Sequence, residues 1–287
     1  MREILKKIQV HVPFYRLRAD LLPMVIREGI NPEIAFSHRD LDRFAEADFR
    51  EIADRLADAG LSVTFHAPFL DLRPGAIEPK IRQVTVERLR RVFELIPWFL
   101  PRSIVCHPSF DEKYYISCEK LWLENSLDTW RSLLGYVEGT ETIIAMENVY
   151  ERGPHQIRPL LDALDSPHVR FCFDTGHANA FGSASYEEWL EALGCRLGEI
   201  HIHDNNGTTD EHLPVGEGTF PFARLFAILR ERKLTPILTV EAHSERNLAR
   251  TLANIGSLGL LEGFGSPAET EGQPAPPHKT MPAPGRS

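Results

Sequence analysis

Short apolar runs alternate with helical segments about eight times along this chain, and few folds are compatible with that pattern. The runs are rich in β-branched residues, whereas the segments between them carry apolar residues at every third or fourth position. Such alternation is typical of parallel strands joined by right-handed crossovers, and eight units favour a closed barrel over an open sheet. We therefore predict one α/β domain, a (β/α)8 TIM barrel, with strands at 8–12, 33–36, 62–66, 103–107, 142–147, 169–174, 198–203 and 236–241.

Six of the predicted strands end in a residue that can bind a metal ion. These residues come from distant parts of the sequence: His66, His107, Glu147, Asp174, His203 and Glu241. In a closed parallel barrel the C-terminal strand ends converge on one face, so these side chains would point into one mouth. The three carboxylates follow buried runs, where an unpaired ionised carboxylate would be costly. The pattern predicts a metal site at this face.

Three more candidate ligands lie in loops near those strand ends. His177 follows Asp174 by three residues in the segment DTGH, where the chain leaves the sixth strand. Asp210 and His212 form a D-x-H pair in the loop TTDEHLPVGEGTF after the seventh strand. Side chains two residues apart in extended backbone point to the same side, so this pair can bind one ion. Zinc and manganese both accept imidazole nitrogen and carboxylate oxygen.

Other polar residues near the same rim are candidates for substrate binding: His11, Arg73, Asn148 and His243. Asn148 directly follows Glu147 and could orient a ligand or bind a hydroxyl group. Arg73 could meet a phosphate, although a solvated loop arginine fits the sequence equally well. His201 alternates with His203 on the seventh predicted strand, and we expect it to support the ligands.

The composition narrows the class of partner. The chain has 32 basic and 41 acidic residues, a net charge of −9, so no general basic surface is available to neutralise the phosphates of DNA. No apolar stretch approaches the roughly 18 residues of a membrane helix, and no signal region opens the chain. The four cysteines contain no CxxC pair, which favours a reduced compartment. We expect a small-molecule substrate, neither DNA nor membrane as partner, and a cytoplasmic location.

The end of the chain differs in composition from the rest. Six prolines lie between Pro267 and Ser287, and this stretch offers almost nothing apolar to bury. We therefore predict that the barrel occupies residues 1–263 and that residues 264–287 form a disordered tail.

The motifs resemble those of the xylose-isomerase-like TIM-barrel superfamily, and the resemblance covers roughly residues 8–260. This superfamily includes sugar isomerases and epimerases as well as endonuclease IV, of AP endonuclease family 2. Its epimerases hold one manganese, cobalt or magnesium ion with a quartet that is similar to Glu147, Asp174, His203 and Glu241. The resemblance implies that Glu147 and Glu241 would be the catalytic acid/base pair that moves a proton beside a carbonyl.

The endonuclease IV pattern requires more metal ligands, and each of them has a counterpart in this sequence. Its three zinc ions would be held by His66, His107 and Glu147, then by Glu147, Asp174, His203 and Glu241, and then by His177, Asp210 and His212. A mononuclear isomerase has no chemical need for the five additional ligands. Three clustered ions instead suit phosphodiester cleavage, in which a metal-activated hydroxide attacks phosphorus.

The resemblance therefore favours a metal-dependent hydrolase, a phosphodiesterase that acts on a small or nucleotide-like phosphodiester. Up to three zinc ions are expected, because five of the nine ligands are imidazoles. The chain is also similar to the cobamide-remodelling phosphodiesterases, which makes the nucleotide loop of a corrinoid a candidate substrate. The alternative is a sugar or sugar-phosphate isomerase or epimerase with manganese, cobalt or magnesium. A third hypothesis is a metal-stabilised sugar-binding module without turnover.

Overall fold

The computed structural model describes residues 1–264, and their strands form a closed parallel barrel. The eight strands pair in sequence order, and the first closes against the last at Gln9–Thr239 and Val10–Val240. The predicted fold class is confirmed, and each strand begins and ends within two residues of its predicted bounds. The strands are β1 Gln9–Pro13, β2 Asn31–Ala35, β3 Thr64–His66, β4 Ser103–Cys106, β5 Ile143–Glu147, β6 Val169–Asp174, β7 Leu197–Ile202 and β8 Ile237–Val240.

Helices surround the barrel and connect its strands. Helix α1 Arg2–Leu5 precedes β1, and α2 Phe14–Arg16, a π-helical turn Leu17–Leu21 and α3 Leu22–Glu28 follow it. The other helices are α4 His38–Arg43, α5 Glu46–Asp58, α6 Pro79–Phe93, α7 Ile96–Phe99, α8 Glu119–Leu134, α9 Pro154–Leu164, α10 Thr175–Phe181, α11 Tyr186–Leu193, α12 Phe222–Glu231 and α13 Glu245–Ser257, with a 3-10 turn at Gly194–Arg196. No helix within residues 1–264 is long and apolar enough to cross a membrane.

The barrel wall separates a large apolar core from a polar interior. The apolar core lies between strands and helices and contains the fully buried rings of Trp130, Trp189 and Phe171. Inside the barrel, Glu199 of β7 accepts hydrogen bonds of 2.6 Å from Ser103 of β4 and from Thr239 of β8. Because β4 and β7 are not neighbours, the first of these bonds crosses the barrel. Each strand therefore alternates between an apolar outer face and an inner face that can carry charge.

Phe264, which the prediction assigned to the tail, packs against the barrel. Phe264 is buried and packs on Phe226, with ring centroids 5.5 Å apart. The carbonyl oxygen of Phe264 also accepts a hydrogen bond of 2.7 Å from Lys7 Nζ. The rest of the predicted tail, residues 265–287, lies outside the described residues.

Candidate metal centre

The strand ends place most of the predicted ligands in one mouth of the barrel. His66, Glu147 and Asp174 are the last residues of β3, β5 and β6. His107, His203 and Glu241 follow β4, β7 and β8 by one residue. None of these six residues exposes more than 8% of its surface. The remaining three predicted ligands enter the mouth from the connections after β6 and β7.

The first ligand group consists of His66, His107 and Glu147. The Nε2 atoms of the two histidines lie 3.4 and 2.5 Å from Oε2 of Glu147. Ligand atoms held by a tetrahedral zinc ion at about 2.0–2.1 Å are about 3.3 Å apart, a spacing that the His66–Glu147 pair matches. His107 and Glu147 are instead in direct contact and would move apart to bind an ion. His66 Nδ1 lies 3.0 Å from the carbonyl oxygen of Ala67 and can donate its proton there, which leaves Nε2 free for an ion.

The second group consists of Asp174, His203 and Glu241. His203 Nε2 lies 3.1 Å from Asp174 Oδ1 and 3.8 Å from Glu241 Oε2. Asp174 also caps α10, because its Oδ1 accepts a hydrogen bond of 2.7 Å from the backbone N–H of His177. A Cβ atom at Gly176 would lie 1.9 Å from Cε1 of His203. The glycine of the DTGH segment is therefore needed for the His203 ring to fit.

The third group, His177, Asp210 and His212, is gathered around Asp210. Asp210 Oδ2 lies 3.4 Å from His177 Nε2 and 3.0 Å from His212 Nε2. His177 Nδ1 can donate to the carbonyl oxygen of Asn148 at 3.0 Å, which leaves Nε2 free. The same Nδ1 atom lies 3.1 Å from Glu147 Oε1, so the third group adjoins the first. The structure thus brings all nine predicted ligands together.

Asp204 fixes the loop that carries Asp210 and His212. Its carboxylate accepts backbone hydrogen bonds of 3.0 Å from Gly216, 2.9 Å from Gly218 and 3.1 Å from Phe220. A Cβ atom at Gly218 would lie 2.2 Å from the carbonyl oxygen of Asn205, so the loop can fold back this closely only with glycine there. The D-x-H pair is therefore held on an anchored loop.

Four side chains form a ring of contacts at the base of the mouth: Glu33, His11, His201 and Glu241. Glu33 is the member that the sequence pattern did not reveal. Glu33 is fully buried and lies 3.0 Å from His11 Nδ1 through Oε1 and 3.2 Å from His201 Nε2 through Oε2. Nδ1 of each of these histidines lies 3.3 Å from Oε1 of Glu241. The ring therefore occupies one oxygen of Glu241 and leaves Oε2 facing His203 and His212.

The buried charges and unpaired donors of the mouth suit a divalent cation. Burial alone would raise the pKa of Glu147 and of Glu241, but nearby histidines, His201 among them, hold both pKa values well below the usual range. Nδ1 of His203 and Oδ1 of Asp210 are buried 3.5 Å apart, and neither has a hydrogen-bond partner within residues 1–264. Unpaired buried polar atoms are costly, and a bound cation would satisfy Oδ1 of Asp210. Imidazoles and carboxylates in this ratio fit a divalent metal.

Two of the predicted substrate contacts, His11 and His243, line the cavity above the ligands. His243 stacks on His212 with ring centroids 3.8 Å apart, and His212 stacks on His203 at the same distance. Burial and the neighbouring His212 lower the pKa of His243. A neutral imidazole is therefore available at the rim.

The other two predicted substrate contacts have different roles. Asn148 is buried, donates to the backbone carbonyl of Asp174 at 3.2 Å and accepts from its N–H at 2.9 Å, so it joins the ends of β5 and β6. The Arg73 guanidinium lies over the ring of Tyr114, 4.4 Å from its centroid, and Arg73 is absent from the cavity lining. Residue type alone suggested a substrate contact at both positions, but the directions of the two side chains depend on tertiary packing.

The cavity has a volume of about 520 Å³, within the range of roughly 300–1,000 Å³ that is usual for small-molecule sites. The ligand groups form its floor. Its wall comes from the connections after the first three strands and includes Pro13, Tyr15, Phe36, Phe69, Leu70 and Leu72. The cavity therefore extends from the ligand groups toward the connections after β1 to β3.

Comparisons with known proteins agree with this geometry. The profile of a family described as xylose isomerase-like TIM barrel matches residues 28–258. The uncharacterized protein MJ1311 of Methanocaldococcus jannaschii is 29% identical over 208 residues, which cover 70% of each chain. A protein named probable endonuclease 4, from Symbiobacterium thermophilum, is 24% identical over 194 residues, 61% of this chain and 68% of that protein. A solved D-tagatose 3-epimerase-like protein shares the fold, with a TM-score of 0.72, 22% identity, and coverage of 89% of this chain and 98% of that one.

Proposed function

The chain belongs to the xylose isomerase-like TIM barrel family, and we propose that within this family it is a metal-dependent phosphodiesterase. Its substrate would be a small or nucleotide-like phosphodiester. The observation that carries the proposal is the third ligand group, in which Asp210 Oδ2 lies within 3.4 Å of both His177 and His212. A single-ion isomerase needs only about four protein ligands, whereas a second and third ion suit hydrolysis of a phosphodiester.

The nine ligands would hold up to three divalent ions, and zinc suits a set that is rich in imidazole. Such ions, when bound, supply the Lewis acidity that activates water and neutralises the charge of a phosphodiester. The two oxygens of Glu147 contact the first and the third ligand group, because Oε2 lies 2.5 Å from His107 and Oε1 lies 3.1 Å from His177. In this proposal Glu147 and Glu241 therefore act as ligands rather than as a proton-transfer pair.

Charge favours a small substrate over DNA. The chain carries a net charge of −9, and the only lysine or arginine among the residues lining the cavity is Arg88. Arg88 is already bound to Asp42, with N–O distances of 2.5 and 3.1 Å. A nucleic acid backbone would find few countercharges here. The nucleotide loop of a cobamide remains a specific candidate, because it presents one phosphodiester in a small molecule.

Hydrolysis of bis(4-nitrophenyl) phosphate and of a cobamide by the zinc-reconstituted protein tests the proposal. We expect His66→Ala and Asp210→Ala each to lower kcat/KM by at least about a hundredfold, because each removes a ligand from a different group. His155→Ala and Asp128→Ala are matched controls, since both residues are exposed and lie outside the mouth. Full activity in both ligand variants would overturn the multinuclear mechanism.

A sugar or sugar-phosphate isomerase or epimerase is the second candidate, with manganese, cobalt or magnesium as the ion. This candidate is favoured because Glu147, together with Asp174, His203 and Glu241 of the second ligand group, also fits a quartet that binds a single ion. Solvent deuterium incorporation into a ketose separates the two candidates. Under this alternative, Glu147→Gln and Glu241→Gln stop the exchange, whereas Asp210→Ala matters much less.

A further inference from the structure

The wall of the cavity is more apolar than a hydrolytic metal centre requires. Tyr15 and Leu70 expose 51% and 74% of their surfaces at its rim, and Phe69 packs edge-on against His107, with ring centroids 4.2 Å apart. Large apolar side chains that are exposed beside a cavity commonly indicate a binding surface. The part of the substrate that lies away from the ligands would meet this wall.

Several polar groups of the wall already have partners. The Ser37 hydroxyl donates to Asp40 Oδ2 at 2.7 Å in the capping box at the start of α4, and Arg88 is bound to Asp42. Asp71 adds a negative charge to the lining. A second phosphate would therefore find no free lysine or arginine among the lining residues, whereas the apolar side chains described above remain exposed.

We propose that this wall binds an uncharged aromatic group that is one of the two ester groups of the phosphodiester. The inference rests on the proposed function, because it places the phosphodiester at the ligand groups and the aromatic group beside Tyr15, Phe69 and Leu70. Aromatic and aliphatic side chains bind such a group by removing apolar surface from water, and they need no countercharge. The preferred substrate is then an aryl-bearing phosphodiester rather than a polyanion.

Calorimetric binding to the zinc-reconstituted protein tests the inference without relying on turnover. We expect diphenyl phosphate to bind at least about tenfold more tightly than dimethyl phosphate, because the second ligand carries no apolar ring to bury. Leu70→Ala should lower this preference about fivefold. Leu121→Ala, at an exposed leucine on the outer helix α8, should leave the preference unchanged. Equal affinities in the unaltered protein, or equal losses in the two variants, would overturn the inference.

Inhibition of methyl 4-nitrophenyl phosphate hydrolysis separates this inference from the proposed function. Diphenyl phosphate should inhibit this hydrolysis at a concentration at least about tenfold lower than dimethyl phosphate does. Equal inhibition by the two diesters would overturn the aromatic preference and leave the phosphodiesterase standing. A binding preference for diphenyl phosphate without hydrolysis of methyl 4-nitrophenyl phosphate would uphold the aromatic site and remove the proposed function.

Discussion

One carboxylate oxygen of Glu241 faces the ligand groups, because the other is held by two histidines that Glu33 orients. His11 and His201 both lie 3.3 Å from Glu241 Oε1, and Glu33 lies within 3.2 Å of both histidines. Groups that orient a metal ligand in this way commonly change metal affinity about 10–100-fold when they are replaced. Glu33 therefore acts as a positioning residue for the second ligand group.

We expect Glu33→Gln to weaken binding of one ion per chain about 10–100-fold, because His11 and His201 lose the charge that orients them. The measurement is a titration of metal-free protein with zinc against a chromophoric chelator. Glu151→Gln is the matched control, since Glu151 is a similarly buried glutamate whose hydrogen bonds go to the backbone of Phe110 and Val149, outside the ring. The same binding curve for both variants would show that Glu33 has no role in positioning.

The sequence predicted which strand-end side chains meet in the mouth, but it did not predict all of the side chains around them. His66, Glu147 and Asp174 could be identified because barrel topology alone sends strand ends to one mouth. Glu33 begins a predicted strand, where a glutamate is as consistent with a solvated edge as with the barrel interior. Asn148 and Arg73 show the complementary problem, since the direction of a side chain follows from neighbours that are distant in sequence.

At the scale of elements, Glu151 joins the connections that follow β4 and β5. Its carboxylate accepts backbone hydrogen bonds of 2.8 Å from Phe110 and 3.1 Å from Val149. Burial raises the pKa of Glu151 to about 7, although these backbone hydrogen bonds work in the opposite direction. Both connections flank the mouth, so the protonation state of Glu151 affects the stability of these two connections.

The raised pKa predicts a loss of stability as the pH increases. The folded protein binds the proton of Glu151 more tightly than the unfolded chain does, so this contribution is complete below about pH 4.5 and is lost as the pH rises through about 7. Between pH 5 and 8 we expect the unaltered protein to lose on the order of 2 kcal/mol of unfolding free energy relative to Glu151→Gln. Urea unfolding at both pH values measures this difference.

Glu124→Gln serves as the control for Glu151→Gln, because Glu124 is exposed on α8. It should keep the pH dependence of the unaltered protein. If Glu151→Gln also keeps that dependence, the carboxyl group of Glu151 titrates normally and the argument from burial fails.

The order and pairing of the elements followed from the sequence, but the placement of their connections did not. Strand and helix periodicity is a local property, so the eight parallel strands could be predicted within two residues. The loop with Asp210 and His212 depends on three backbone N–H groups that reach the carboxylate of Asp204. Such long-range contacts leave no periodic signal, although the glycines Gly216 and Gly218 do indicate a tight turn.

At the scale of the whole molecule, an acidic protein carries a cluster of nine candidate ligands at one end of its barrel. The net charge of −9 works against a nucleic acid, while under the proposed function the ligand groups would supply a local site for a single anionic phosphodiester. The family includes enzymes with quite different substrates, so the fold alone does not decide the reaction. The number of ions that the mouth holds is the property that separates the proposed functions.

Metal content per chain, measured by elemental analysis of protein purified without a chelator or a histidine-rich tag, tests this account most directly. We expect two or three ions per chain, with zinc predominant, and the loss of one ion in each of His66→Ala and Asp210→Ala. A single manganese, cobalt or magnesium ion, retained in both variants, would contradict the multinuclear centre and favour sugar isomerisation.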